Sequence, residues 1–198
     1  MSDEEQARFR APDHCVNDIP LSKARELVEL YHYSRGGSNT RVYTHGLFRR
    51  DDLDKCLGCA WWIPPTRTAA ESVSKDWQSV LSLTRFVIVP GVPTNAASFL
   101  LAASMRMIER LGKWATLLTY ADEGEGHTGG IYRATNWEYM GIRPGDPRYI
   151  DPESGRHVAR KAGGKTRTNA EMVGLGYVNT GRTRKHKFIK KIRQGETP

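Results

Sequence analysis

Long apolar runs are missing from this chain: no stretch in its 198 residues approaches the length needed to cross a bilayer. The first ten residues, MSDEEQARFR, hold acids where a signal peptide would need an apolar core. The expectation is a soluble, unexported protein with no membrane partner. Cysteine is scarce as well. Cys15, Cys56 and Cys59 are an odd number without disulfide-scaffold spacing, which fits a reducing compartment, and the cytoplasm is the simplest assignment. Cys56-Leu57-Gly58-Cys59 has redox or metal spacing, yet a zinc site needs about four ligands and there is no second pair, so these read as strand residues. There is no internal repeat and no low-complexity block.

Acid is short in one region only. Between Arg156 and Arg193 twelve basic residues face a single acid, Glu171, although the whole chain carries a net charge of +8. A basic end on a nearly neutral body is what a polyanion binder needs, because each phosphate neutralised releases condensed counterions. Nucleic acid leads, and Arg182, Arg184, Lys185, Lys187, Lys190 and Lys191 are the expected contacts. A solubilising tail is the alternative for any charge run. Phe188, Ile189 and Ile192 interleave this one, which points to a segment that packs as a strand or short helix.

With 38% hydrophobic residues the chain can bury one good core and is short for two domains. The polar residues 1–18 read as a flexible arm, 19–145 as the catalytic domain and 146–198 as the basic extension, packed on the domain and contacting DNA. Apolar positions from Leu21 to Tyr31 fall at helical spacing, with Asp18 or Ser22 as a cap. That helix delivers His32, Tyr33 and Ser34 at its end, before the breaker Gly36-Gly37-Ser38-Asn39. Arg41 to Phe48 and Leu57 to Ile63 read as two strands, with a polar loop or irregular helix over Thr66 to Lys75. Of the adjacent rings Trp61 and Trp62, alternation sends one inside and leaves the other for a binding face.

Val80 to Val89 alternates, is β-branched and closes at Pro90-Gly91, the best strand signal in the chain. The next run, PTNAASFLLAASMRMIERLG, starts at Pro93-Thr94 and stops at Gly112, the strongest helix signal. A strand over Trp114 to Tyr120, a short helix over about Gly129 to Thr135 and a strand over Trp137 to Ile142 follow, then mostly turns, with short strands at Arg148 to Ile150 and Lys187 to Ile192. His127 serves a turn or faces a pocket.

This order of elements, with GIYRATNWEYMG at Gly130 to Gly141, resembles the GNAT acyltransferases. The resemblance implies an α+β fold, a central mixed sheet flanked by helices, and an acyl-CoA lying where the long strand parts from the next. It implies that Val87, Val89, Thr94, Asn95 and Ser98 line acetyl-CoA or another acyl-CoA, and that Tyr132 protonates the departing thiolate. A phenol suits that task, being neutral at pH 7; the alternative is a Tyr132 packed in the core with its hydroxyl satisfied locally. The glycine-containing pyrophosphate loop of that superfamily is absent, and PTNAAS stands in its place.

His32-Tyr33-Ser34, Arg85 in LTRF, Ser98 in NAASFL, Asp122 in TYAD and GHTGGIYRATNW together resemble the Mom family of phage DNA-modification proteins, over about Tyr31 to Tyr139. That resemblance implies conversion of adenine in double-stranded DNA to N6-carbamoylmethyladenine in the host cytoplasm, protecting phage DNA from restriction. It brings His32, Tyr33, Arg85, Asp122 and Tyr132 into a catalytic set. Asp122 or His32 would take the proton from a poorly nucleophilic amine, Arg85 would hold an oxyanion, and Tyr33 would stack on a base turned out of the duplex. Singly, each has a structural alternative: an Arg85–Asp122 ion pair, His32 as a helix cap, Tyr33 in the core. Their oxygen and nitrogen atoms also admit iron, and the chain is open to being a homodimer. Two other functions fit the same residues: an N-acetyltransferase acting on a protein or small amine, and a non-catalytic DNA-binding protein on this scaffold.

Overall fold

The computed structural model describes residues 9–34, 36–162 and 165–192. Two compact units divide them. The first takes the chain up to Tyr120, Gly129–Met140 and the residues from Phe188 on; the second takes Ala121–Thr128 and Gly141–Lys187.

The first unit opens with β1 (His14–Asp18), α1 (Leu21–Tyr31), β2 (Tyr43–Arg49), β3 (Gly58–Ile63) and α2 (Arg67–Glu71). Residues 14–18 were expected to end a loose arm, but β1 pairs antiparallel with β2 from His14↔Arg49 to Asp18↔His45; residues 1–8 of that arm lie outside the described residues. Asp18 is therefore a strand residue and no cap. Pro20 stands at the N-cap of α1 with no side-chain cap bond, while Ala24, Leu27 and Val28 form the buried stripe. That stripe packs with Trp61, Cys59 and Val87 in one core cluster. The paired tryptophans both go inside: Trp61 joins this cluster and Trp62, equally buried, donates its indole N–H to Ser104 Oγ at 2.8 Å.

β4 (Val80–Ile88), α3 (Ala96–Arg110), β5 (Thr116–Asp122) and α4 (Gly130–Ala134) follow. α3 begins three residues later than Pro93 because Asn95 takes a left-handed backbone, φ 80°, at its N-cap. Buried Leu100, Leu101, Ser104, Met105 and Ile108 lie at helical spacing, and Gly112 ends the element with φ 65°.

Three long or short strands close the chain: β6 (Glu138–Ile150), β7 (His157–Val158) and β10 (Val178–Lys191), with the small pair β8 (Lys161–Ala162) and β9 (Lys165–Thr166) and the short helix α5 (Asn169–Gly174) between them. The eight-stranded sheet has the order β1-β2-β3-β4-β5-β10-β6-β7. β6 runs through Pro144 and Pro147, where turns were expected. It meets β7 only at Tyr149 and Ile150, so the earlier part of that edge asks no ladder bond of a proline. β10 is longer than the expected Lys187 to Ile192 strand because its first nine residues are too polar on both faces to show alternation.

Candidate active site

β4 is bonded on both sides only at its start. Its parallel pairing with β5 covers Val80↔Thr116 to Leu83↔Thr119, whereas its antiparallel pairing with β3 continues to Ile88. One edge of β4 from Thr84 onward is therefore open. The register with β3 slips at the same point, Trp61↔Arg85 being followed by Trp62↔Leu83, so Thr84 is an extra residue and β4 is bulged where it leaves β5. A bulge re-aims the residues around it and is a common device beside active sites.

Tyr132 meets this point. Its hydroxyl lies 3.2 Å from Thr119 Oγ1, which lies 3.1 Å from Leu83 O. Thr119 donates toward both acceptors, the Leu83 carbonyl and the Tyr132 hydroxyl oxygen, as a shared bond. The ring is held by Trp137 and Phe188, with centroids 5.5 and 5.2 Å away. α4 can present it because Gly129, at φ 81°, lies against the Phe188 ring: an added Cβ would meet ring carbons at 2.3 Å. Burial raises the Tyr132 pKa above its ordinary value, the Tyr33 phenol adds to the rise, and the Thr119 bond opposes it. Tyr132 is thus kept in its protonated, neutral form at neutral pH. The alternative of a core hydroxyl satisfied locally is consistent with the same bond.

Arg85 follows the bulge. Its Nε donates to Gly36 O at 2.7 Å and its Nη1 to Thr84 O at 2.7 Å. Both bonds stay within the first unit, whereas Asp122, the partner expected in the alternative reading, belongs to the second. Burial lowers the Arg85 pKa while Tyr33 opposes the change. Tyr33 is 46% exposed, not core, and its ring lies 4.3 Å from that of His32. His32 does cap α1, its N–H bonding Val28 O. Its Nδ1 accepts the backbone N–H of Ser34 at 3.1 Å, which leaves Nε2 as the protonated nitrogen of a neutral ring. In that tautomer His32 is a donor and no base. The first unit therefore holds Tyr33, Arg85 and Tyr132, with the His32 ring tilted against that of Tyr33.

On the expected cofactor side, Val89 N–H bonds Leu57 O at 2.9 Å. Antiparallel alternation then turns the Val87 amide to β3 too, and its side chain is buried in the α1 cluster. The groups facing the open edge are those of Phe86 and Ile88, one residue off the expectation. After β4, Gly91 at φ 84° and Asn95 at φ 80° supply two left-handed turns in place of the glycine loop, and Ser98 Oγ donates to Asn95 O at 3.0 Å. Thr94 and Asn95 precede the first turn of a 15-residue helix, whose leading N–H groups point away from any intrahelical acceptor.

Asp122 belongs to the second unit. Its Oδ1 accepts the Gly124 N–H at 3.1 Å, capping a 3-10 turn that His127 N–H closes on Asp122 O, and Arg148 lies 3.8 Å from Oδ2. Among the described residues no cluster of three or more His, Cys, Asp or Glu has metal-ligand geometry, so iron has no donor set behind it. The six expected DNA contacts divide. Arg182 and Arg184 are exposed, Arg184 being paired with Glu123, and Lys185 is half-buried. Lys187 is only 2% exposed and is corrected to an interior residue; burial and Arg143 lower its pKa. Lys190 donates to Thr135 O and Asn136 O at 3.0 and 3.1 Å, and Lys191 to Thr116 Oγ1 at 2.9 Å, so these two fasten β10 to the core. Sequence reasoning missed Thr119, whose signal was a polar residue set mid-strand between Leu118 and Tyr120 in TLLTYAD, and Trp137. The Thr84 bulge had no signal.

The model of the Mom protein family matches residues 13–194. The methylcarbamoylase mom of Escherichia phage Mu is 26% identical over 129 residues, which are 64% of this chain and 53% of that protein. The chain thus matches about half the length of this curated relative. Among solved structures, Arabidopsis thaliana NAA60 in complex with a bisubstrate analogue superposes with a TM-score of 0.58 at 11% identity, covering 92% of this chain and 99% of that one. A Bacillus subtilis acetyltransferase in complex with CoA gives 0.54 at 8% identity, covering 91% and 98%. At such identities the likeness shows the fold, which is GNAT-like: α+β, a mixed sheet flanked by helices.

Proposed function

The chain belongs to the Mom protein family, and from that premise we propose that it is a transferase converting adenine in double-stranded DNA to N6-carbamoylmethyladenine, a mark that shields DNA from restriction. The observation that carries the reading is the Tyr132 hydroxyl, neutral and held on Thr119 where β4 parts from β5 and beside a bulge bearing Arg85. A proton donor and a cation there suit a leaving group that departs with negative charge.

Acyl-CoA fits the donor side. The open edge formed by Phe86 and Ile88 would take the thioester arm, and the first turn of α3, after Thr94 and Asn95, would take the phosphates through backbone N–H groups and the helix dipole. When bound it would supply an activated carbonyl and a thiol leaving group. Direct acyl transfer makes an amide, whereas a carbamoylmethyl group places a methylene on N6, so the donor of that unit carries chemistry beyond a single acyl transfer. The chain's own residues divide the remaining work. Tyr132 gives a proton to the leaving group, Arg85 balances the charge of an oxyanion, and Tyr33, exposed beside them, stacks on the adenine. For the N6 proton the expected bases are Asp122 and His32, and the Nδ1 of His32 already accepts a bond. Double-stranded DNA is the partner, met by Arg182 and Arg184.

Mass spectrometry of nucleosides from the DNA of cells expressing the chain tests the reading. A modified adenine with the carbamoylmethyl mass is expected; unmodified adenine under good expression sinks it, and acetylated protein in its place would indicate an ordinary N-acetyltransferase.

A further inference from the structure

Between α5 and β10 the chain runs Met172-Val173-Gly174-Leu175-Gly176-Tyr177-Val178 and turns aliphatic side chains into solvent: Val173 is 59%, Leu175 55% and Val178 48% exposed. A single exposed leucine needs no explanation, but this group sits on a built support. Thr168 caps α5 through Glu171 N–H while the Glu171 side chain returns to Thr168 N–H, closing a capping box. Met172 is fully buried beneath the tip. Gly176, at φ 84°, bonds Val173 O at 2.9 Å, and Tyr177 N–H bonds Met172 O. The tip also stands clear, since a Cβ added at Gly174 or Gly176 meets nothing within 4 Å. Val173 and Leu175 are thus projected by a fixed turn with room on either side.

Charge identifies what receives them. From Arg156 to Lys185 the sequence holds eight basic residues and one acid, Glu171, and Glu171 is already engaged by Lys165 at 3.0 Å and by the capping box. A second copy of this surface would be repelled, and a polyanion would be drawn in. An apolar tip on a basic surface has a matching site in duplex DNA, where aliphatic side chains enter between base steps and unstack them. Chemistry on adenine N6 needs such help, because the target must leave the stack to reach an active site.

We propose that Val173 and Leu175 are a wedge that enters duplex DNA between base steps and unstacks them. The proposal rests on the reading of the chain as a DNA adenine-modifying enzyme. Atoms and electrons are unchanged in this step; it is a binding function.

The test uses the full chain and duplexes carrying 2-aminopurine at successive adenine positions, since unstacking raises its fluorescence. The wild type is expected to bind in a salt-sensitive way and to raise the signal severalfold at one position. Val173→Ser with Leu175→Ser, both at exposed positions, should bind at low salt within about threefold of wild type, because phosphate contacts supply that affinity, and should lose most of the rise. Placing the 2-aminopurine opposite an abasic site should restore the signal, and Val173→Leu with Leu175→Met should keep it throughout. The wedge is overturned if the double serine variant flips as well as wild type, or if it fails equally on the abasic duplex. It is also overturned if the substitutions convert a sedimenting dimer to a monomer, which would assign the tip to a second copy. A wild type that binds no duplex at all removes the DNA reading itself, a result separable from failure of the wedge.

Discussion

Replacing Tyr132 by Phe removes one oxygen and leaves the ring in place. The ring keeps its contacts with Trp137 and Phe188, at 5.5 and 5.2 Å between centroids, so apolar burial is unchanged. The folded state loses the bond to Thr119, worth about 1 kcal/mol net. The loss leaves no orphan, because Thr119 still gives its proton to Leu83 O. Against a typical stability of about 5–15 kcal/mol the variant folds. The chemistry fares differently: a positioned general acid contributes roughly 10²–10⁴ in rate, so modification should fall at least about a hundredfold. Burial raises the phenol pKa above its ordinary value, so Tyr132 stays protonated throughout the neutral and mildly alkaline range and sets no alkaline limb there. The assay is the modified fraction of adenine in plasmid DNA, read by nucleoside mass spectrometry beside a thermal melt. Modification close to wild type in Tyr132→Phe would refute the acid role. A melt lowered by more than a few kcal/mol would refute the claim that the hydroxyl serves chemistry more than packing.

Three further outcomes follow from the same geometry. His45, 2% exposed, takes the Ser104 proton on Nδ1 at 2.6 Å, faces Asp18 at 3.3 Å through Nε2, and stacks near Tyr43. Burial lowers its pKa below 6.5, with Asp18 opposing. The unfolded chain therefore binds a proton that the folded one refuses, and stability falls as pH drops through 6.5 until the folded pKa is passed, by at most about 1.4 kcal/mol per pH unit. Urea midpoints between pH 7.5 and 5 should show this fall, flattened in His45→Asn. Lys190→Met should cost roughly 1–2 kcal/mol by orphaning Thr135 O and Asn136 O and leave DNA affinity alone, whereas Arg182→Ala with Arg184→Ala should leave the melt alone and reduce the salt slope of binding by about 2. Gly129→Ala, at φ 81° and against Phe188, should lose about 2–4 kcal/mol, while Gly130→Ala, with nothing within 4 Å, should be neutral or stabilising by melting temperature.

The elements most legible in sequence are those whose own residues decide them. α3 carries small and apolar residues at helical spacing between a proline start and a glycine stop, and it formed over Ala96–Arg110. β4 alternates β-branched residues and ended within one residue of the expected Val89. The elements that escaped depend on neighbours. β1 is HCVND, with only two apolar residues, and exists because β2 offers it an edge. α5 was announced by Thr168-x-x-Glu171, a capping box, but with Met172 as its one buried residue it has no apolar stripe to read. Two prolines concealed the length of β6, since a sequence does not say which edge of a strand will go unpaired.

The same distinction governs the site. Tyr132 and Arg85 come from residue patterns, and both reached the point where β4 parts from β5. The bulge that aims Arg85 arises from a register slip between Trp61–Trp62 and Leu83–Arg85, a property of two strands that neither sequence contains. Counting charges likewise gave six equal basic residues in the last segment, although a strand cannot present consecutive side chains to one partner. β10 turns Lys187 inward and spends Lys190 and Lys191 on the carbonyls and hydroxyl that seat it, while Arg182, bonded to Gly145 O, and Arg184, paired with Glu123, lie on its exposed part. This division follows from where Phe188 sits: four residues beyond Arg184 it packs on Tyr132. Basic residues near that end fix the strand that supports the proposed acid, so those farther along it are the ones proposed to meet phosphate. A phosphate-contact defect in Lys190→Met equal to that of Arg182→Ala would break this argument, because it would show the inner lysines reaching DNA after all.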